Sequence, residues 1–226
     1  GTSTEREVSI VSGTEVCKAL RSRGHQAILV DVFFGKEGAD PATAFDGDYD
    51  VDVEAAYISS FNAQVKDAVA SGREFFGPGV IELCKAADVV FMALHGANGE
   101  DGRVQAYFDL CGIPYTGTGY LSSAMAMDKG ITKKIFRTSG VPTPRGVELK
   151  KGKDSMNLAD YNMELPVVVK TCCGGSSVGV YITKTPEEYE EALKGAFSYE
   201  DEVVVEEYIE GREFSVGVVD GKAYPI

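Results

Sequence analysis

The stretch Val167 to Val180, VVVKTCCGGSSVGV, decides how the chain is read, because a β-branched run, a lysine and a glycine-serine loop lead there into a second apolar run. Three valines in succession predict a short strand covered on both faces, with Lys170 where that strand emerges. The loop after it has almost no bulk. Gly174, Gly175 and Gly179 can take positive φ and let backbone N–H groups converge on an anion, while Ser176 and Ser177 add hydroxyl donors beside Val178. A phosphate suits such a loop. The lysine precedes the glycines, so the stretch is not a Walker P-loop, and it is not a Rossmann fingerprint either. The same residues also spell a glycine-rich hairpin turn, and this stretch alone does not separate the two readings.

Around it, the second half of the chain reads as a small α+β unit. Strands are expected at about residues 146–149, 166–170, 178–183, 202–207, 213–219 and 222–226, with a helix over 186–197 begun by Pro186. The phrase Val203 to Phe214, VVVEEYIEGREF, offers two functional candidates: its strand could present a backbone edge to a flat ring, and Glu213 could accept bonds from ribose hydroxyls. An acidic edge strand protected from aggregation accounts for the same residues. Val141-Pro142-Thr143-Pro144 cannot be helical and reads as a connector.

The first half reads as an α/β layer. Gly1 to Glu7 leads into a helix reaching about Arg23, with Ser3 or Thr4 as N-cap and Glu7 at or near the third helical position. Glu5 at the helix mouth favours the dipole, and as a functional residue it could hold a substrate ammonium group. A strand is expected over Ala27–Phe33, and a strand before the first helix is expected to have been lost from the N-terminus. Asp46, Asp48, Asp50 and Asp52 make a solvated acidic loop more readily than a calcium site, as the EF-hand spacing is missing. Ala87–Leu94 reads as a buried strand ending in HGANGEDG (95–102), followed by a helix over about 103–111 and a short strand over Ile113–Thr116. Ligands of open α/β sheets sit at the carboxyl ends of strands, which singles out His95 and Glu100, although a lone histidine there is more often structural. A helix from Leu121 to about Ser139 carries Asp128 and Lys129.

Composition narrows the function classes. The 226 residues suit one large domain or two small ones, and 44% hydrophobic with 25% charged residues is a soluble globular balance. A net charge of −13 argues against a nucleic-acid partner, yet a few lysines can still make a local anion site. Five cysteines without C-x-x-C spacing fit reduced thiols better than a disulfide framework or a zinc site. The adjacent Cys172 and Cys173 are poorly placed for a relaxed disulfide. No apolar run reaches membrane-spanning length and no signal peptide is visible, so no membrane partner is expected.

Taken together, GTSTEREVS (1–9), ALHGANGEDG (93–102), IPYTGTG (113–119), AMDK (126–129), VVVKTCCGGSSVGV (167–180) and VVVEEYIEGREFSV (203–216) resemble the ATP-grasp ligases, most closely the D-alanine–D-alanine ligase family. The resemblance spans nearly the whole chain, with residues 36–80 unsupported. It implies an α/β N-terminal domain of the pre-ATP-grasp, Rossmann-like kind over residues 1–118. An α+β ATP-grasp small subdomain with its connecting helix would follow over 119–226, with ATP lying between two sheets. Lys129 and Lys170 match the lysines that neutralise ATP phosphates, and the loop at Gly174, Gly175, Ser176, Ser177 and Val178 matches the flap above them. Glu206, Glu207, Ile209 and Glu213 match the adenine and ribose contacts. Glu5 matches the residue holding the ammonium of the first D-alanine, Ser176 the serine orienting that glutamate, and His95 a first-substrate contact.

The implied reaction is formation of a D-alanyl phosphate from ATP and its capture by a second D-alanine, for peptidoglycan precursors in a bacterial cytoplasm. Little acid–base machinery is visible in the sequence, which suits phosphoryl transfer by positioning and charge neutralisation. A ligase making D-Ala-D-lactate or D-Ala-D-Ser, or a non-catalytic nucleotide-binding module, are the alternatives, and the family's habit suggests a homodimer. Magnesium is the expected companion of ATP, with its carboxylate and asparagine ligands expected beyond Ile226. The 226-residue chain by itself is therefore expected to be incomplete and inactive. Cys172 and Cys173 replace more typical loop residues of the family.

Overall fold

A computed structural model of the chain describes every residue except Ser176 and Ser177. Helices and sheets are mixed in it, and it divides into two compact units. One comprises Gly1–Ile135 with Cys173–Val178, the other Phe136–Cys172 with Gly179–Ile226.

The first unit is helical: α1 (Arg6–Ser22), α2 (Val51–Ser59), α3 (Val65–Ala70), α4 (Val80–Ala86), α5 (Arg103–Cys111), α6 (Tyr120–Met127) and the greater part of α7 (Lys129–Thr138). Its apolar core joins Val80 and Cys84 of α4 to Val104 and Phe108 of α5, with Val32 and Ile113 beside them. Helix α1 contributes a mostly polar buried face of Arg6, Ser9, Thr14 and Cys17. Arg6 reaches Asp31 with Nη2 2.5 Å from Oδ2, and also donates to Asn62 Oδ1 at 2.8 Å and to the Ile58 carbonyl at 3.1 Å. Burial pushes the Asp31 carboxyl up, but the Arg6 fork and the Phe33 N–H outweigh it and hold it below its ordinary value.

Several expectations for this unit are corrected. Ala27–Phe33 and Ala87–Leu94 form no strand ladder; the one pairing is a parallel bridge between Val90 and Tyr115. Their backbone groups are bonded elsewhere, the Leu29 N–H to Tyr49 Oη at 2.8 Å and the Met92 N–H to Thr116 Oγ1 at 3.1 Å. Side-chain oxygens serve these two N–H groups, while Val90 bonds backbone to backbone, its N–H donating to the Pro114 carbonyl at 2.8 Å and its carbonyl accepting from the Thr116 N–H at 2.9 Å. Neither Ser3 nor Thr4 caps α1: the N-cap is Glu5, without a side-chain cap bond. The helix expected over 121–139 is two helices. Asp128 is extended, at φ −83° and ψ 106°, and its Oδ1 accepts from the Ile131 N–H at 3.0 Å, ending α6 and capping α7. Asp50 is likewise used as a cap, accepting from Asp52 and Val53 N–H at the start of α2.

The second unit follows the valine pattern closely. Strands β1 (Gly146–Lys150), β2 (Val167–Thr171), β3 (Val180–Thr183) and β4 (Glu202–Glu207) form an antiparallel sheet of order β1-β4-β2-β3. Val167 and Val169 of β2 and Val203 and Val205 of β4 are fully buried against Tyr189, Ala192, Leu193 and Ala196 of α8 (Pro186–Ala196). Those α8 positions recur at three- and four-residue spacing, the stripe a helix needs to lie on a sheet. Thr185 and Glu188 form the capping box of α8, with Pro186 in its first turn. The strands expected at 213–219 and 222–226 shrink to β5 (Val218–Val219) and β6 (Lys222–Ala223), a short exposed hairpin turned by Asp220 and Gly221, both at positive φ.

Candidate functional site

In the first unit the residues that deserve chemistry collect around the start of α1. Glu5 stands at its mouth, and its carboxylate packs against bare backbone on two sides. A Cβ added to Gly96 would lie 2.6 Å from Glu5 Oε2, and one added to Gly175 would lie 3.2 Å from the same atom. Gly96 also takes φ +74°, so both its conformation and its surroundings require glycine. Two loops distant in sequence, 95–102 and the one after β2, are thereby brought to one carboxylate.

The 95–102 loop holds its own shape. The Gly96 N–H donates to Glu100 Oε2 at 2.6 Å, the Glu100 N–H returns to the Gly96 carbonyl at 2.9 Å, and Asp101 Oδ2 accepts from the Asn98 N–H at 2.9 Å. Gly102, at φ +87°, opens α5 against the Tyr120 carbonyl, where a Cβ would stand 2.2 Å away. Glu100 is thus occupied in shaping the loop. His95, half-buried, lies at the loop's start with Ser12 Oγ 2.9 Å from its Nε2.

Lys129 opens α7 and its ammonium donates to the carbonyl of Gly174. The Val178 N–H donates to the Gly175 carbonyl at 3.1 Å. The structure therefore brings together Glu5, Gly96 and Gly175, and separately Lys129 with Gly174. Ser176 and Ser177 lie outside the described residues.

In the second unit Lys170 forms an ion pair with Glu206, their side chains 23% and 9% exposed. The register explains it: Val168 faces Glu206 and Lys170 faces Val204, so the charged pair meets diagonally between β2 and β4, on the sheet face turned away from α8. A phosphate would compete with Glu206 for this ammonium. Glu207 Oε1 accepts from the Arg145 N–H at 2.8 Å and clasps β1 to the end of β4. Ile209 is 60% exposed, and Glu213 is exposed as well.

Sequence reasoning missed Ser9 and Ser12, and it gave Ser3 the wrong task. Ser3 Oγ accepts from the Glu5 N–H at 3.3 Å and donates to the His95 carbonyl at 2.7 Å, while Ser9 Oγ accepts from the His95 N–H at 2.9 Å. The available signal was two serines one turn apart on the helix that begins at Glu5, a spacing that puts both hydroxyls on one face. A concavity of about 480 Å³ lined by Arg73, Phe76, Pro78, Ile81 and Tyr107 contains none of the expected site residues. Among the described residues no cluster of histidine, cysteine, aspartate and glutamate could hold a metal ion, and no helix is long and apolar enough to cross a membrane.

Comparison with known proteins shows the family. Residues 1–118 match the family model for the D-ala D-ala ligase N-terminus, and residues 135–226 that for the D-ala D-ala ligase C-terminus. The D-alanine–D-alanine ligase of Lacticaseibacillus casei is 41% identical over 229 residues, covering 99% of this chain and 63% of that protein. Among solved structures, a D-alanine–D-alanine ligase from Bacillus anthracis superposes with a TM-score of 0.69 at 32% identity, over 99% of this chain and 60% of that one. A second Bacillus anthracis structure, complexed with ATP, gives 0.59 at 41% identity over 65% of this chain and 49% of that one. The chain thus spans less than two-thirds of the length of these relatives. On the family models and the shared motifs, the chain belongs to the D-alanine–D-alanine ligase family.

Proposed function

We propose that the protein carrying this chain joins two D-alanines at the expense of ATP, through a D-alanyl phosphate, for peptidoglycan precursors in a bacterial cytoplasm. The observation that carries the reading is the Glu5 carboxylate set between the backbones of Gly96 and Gly175 next to His95, in a chain of this family. Glu5 accepts the ammonium of the first D-alanine, and His95 contacts the same molecule. Lys129 and Lys170 are the groups that neutralise ATP phosphates, with Gly174, Gly175, Ser176, Ser177 and Val178 as the loop over them. Glu206, Glu207, Ile209 and Glu213 serve adenine and ribose. In the domain description that goes with this reading, residues 1–118 are a pre-ATP-grasp domain and 119–226 the ATP-grasp small subdomain with its connecting helix. A homodimer belongs to the same proposal.

Chemically, a carboxylate oxygen of the first D-alanine forms a bond to the γ-phosphorus as the bond to the β–γ bridging oxygen breaks, and ADP leaves. The amine of the second D-alanine then attacks the acyl carbon, phosphate leaves, and the amine proton is released. Two lysines and a loop of N–H donors suit the first step, in which charge must be neutralised and held in line rather than moved by strong acids and bases. Magnesium accompanies ATP in such ligases, and the described residues gather no ligand set for it.

The test is a product-mass assay on the native protein with ATP, magnesium and D-alanine. D-Ala-D-Ala is expected, and it is expected to disappear in Lys170→Ala and Glu5→Gln. Formation of D-Ala-D-lactate or D-Ala-D-Ser alone when D-lactate or D-serine is added, or nucleotide binding without any product, overturns the reading.

A further inference from the structure

His95 is held to the helix that carries Glu5 at both ends of its backbone and at its ring. Ser3 bridges the Glu5 N–H to the His95 carbonyl, and Ser9 accepts from the His95 N–H while donating to the Glu5 carbonyl at 3.1 Å. Each serine places only one hydrogen-bonding atom between Glu5 and His95. Ser12, one turn further along α1, puts its hydroxyl 2.9 Å from Nε2. Ser9 is buried and Ser12 half-buried, and both lie on a helix pinned by the buried Arg6 and Asp31 pair, so these hydroxyls are fixed in position before any ligand arrives.

A neutral imidazole has one N–H donor and one acceptor nitrogen, and the partner at one nitrogen selects the role of the other. An amino-acid zwitterion brings an ammonium, which needs an acceptor, and a carboxylate, which needs a donor. Glu5 supplies only acceptors. If Nε2 kept its hydrogen and donated to Ser12, Nδ1 would add another acceptor and leave the carboxylate without a donor from this pair. We infer that Ser12 is a positioning residue for His95: its hydroxyl donates to Nε2, holds the ring as the Nδ1–H tautomer, and so presents a donor to the carboxylate of an amino acid whose ammonium rests on Glu5. The substrate half of this statement rests on the proposed function; the tautomer half does not.

Besides His95 the chain contains the exposed His25, and each histidine signal of the full protein is assigned by substituting that histidine. Two-bond proton–nitrogen correlation spectra of the ¹⁵N-labelled protein at neutral pH, with His25→Gln for assignment, report which ring nitrogen carries the hydrogen. The expected spectrum shows His95 protonated at Nδ1 and bare at Nε2, moving toward a tautomer average in Ser12→Ala and restored in Ser12→Thr, with His25 unmoved throughout. A hydrogen on Nε2 in the unsubstituted protein, or a Ser12→Ala spectrum unchanged at His95, overturns the inference. The first of these needs no variant to fold.

In the ligase assay, Ser12→Ala is expected to raise KM for the first D-alanine about 2- to 10-fold, the range of one neutral hydrogen bond, with kcat nearly unchanged and Ser12→Thr restoring it. An unchanged KM in an active enzyme overturns the substrate half. The expected tautomer in a protein that makes no D-Ala-D-Ala supports the placement of the ring and tells against the ligase reading instead.

Discussion

In the first unit Glu5 is set by serine hydroxyls, an ion pair and glycine backbones from loops, whereas in the second Lys170 is set by a regular ladder with a valine core beneath it. The two arrangements fail differently. A ladder distributes its support over many backbone bonds and apolar contacts, so losing one side chain weakens it by the volume removed. A network of buried polar groups depends on complete pairing, and removing one member leaves another stranded. What the contrast teaches is that a site can take its rigidity from either source, at very different sensitivity to a single substitution.

The largest effect should come from breaking the network at its deepest pair. Arg6→Ala strands a carboxylate whose side chain is only 2% exposed, and should lower stability by about 3–5 kcal/mol in urea unfolding. Acid tests the same pair with a definite sign. Asp31 is held below its ordinary value, so its contribution is complete above about pH 3.9 and is lost as pH falls through the lower folded value. The stability difference between the unsubstituted protein and Asp31→Asn should therefore be full at pH 7 and narrow below pH 4. A difference that widened on acidification would contradict the pairing.

In the ladder unit the counterpart is Leu149→Ala, at a side chain 1% exposed in the core under β1 and β4, with an expected loss of about 2–4 kcal/mol. If this substitution also abolished D-alanine binding, while Arg6→Ala left it intact in the folded fraction, the assignment of support to each unit would be reversed. Gly96→Ala should cost about 1–2 kcal/mol from its φ alone, and should weaken D-alanine binding further than that stability loss explains, because the new methyl displaces Glu5. Calorimetric titration with D-alanine separates the two. Thr185→Ala removes one arm of the α8 capping box and should cost about 1 kcal/mol with no effect on ligand binding.

The contrast also explains what could be read in advance. β1 to β4 and α8 were legible because burial there follows spacing, the valines alternating across β2 while the α8 stripe recurs every three or four residues. In the first unit the same cue misled: AILVDVF (27–33) and ADVVFMAL (87–94) have strand composition, but they form no ladder beyond the Val90–Tyr115 bridge, and the Leu29 and Met92 N–H groups go to Tyr49 and Thr116 side chains. Asp128 was visible in sequence inside a helical pattern, and its capping chemistry was the cue that the helix restarts there. Glu5, His95, Lys129 and Lys170 were found through the motifs that contain them. Ser9 and Ser12 were not, because a hydroxyl chooses its partner from whatever the fold delivers, and no residue near them in sequence names His95.

The bare mouth of α1 has a consequence for anyone who evolves or engineers this protein. Glu5 occupies the position where serine, threonine or aspartate would cap the helix, and it makes no cap bond there. Glu5→Ser should therefore raise the melting temperature slightly, by the equivalent of about 0.5–1 kcal/mol, while removing the anchor proposed for the substrate. A library selected for thermal tolerance alone would enrich that change and return a sturdier protein with an empty grip. At this one residue foldability and chemistry ask for different amino acids, and the sequence records which of the two prevailed.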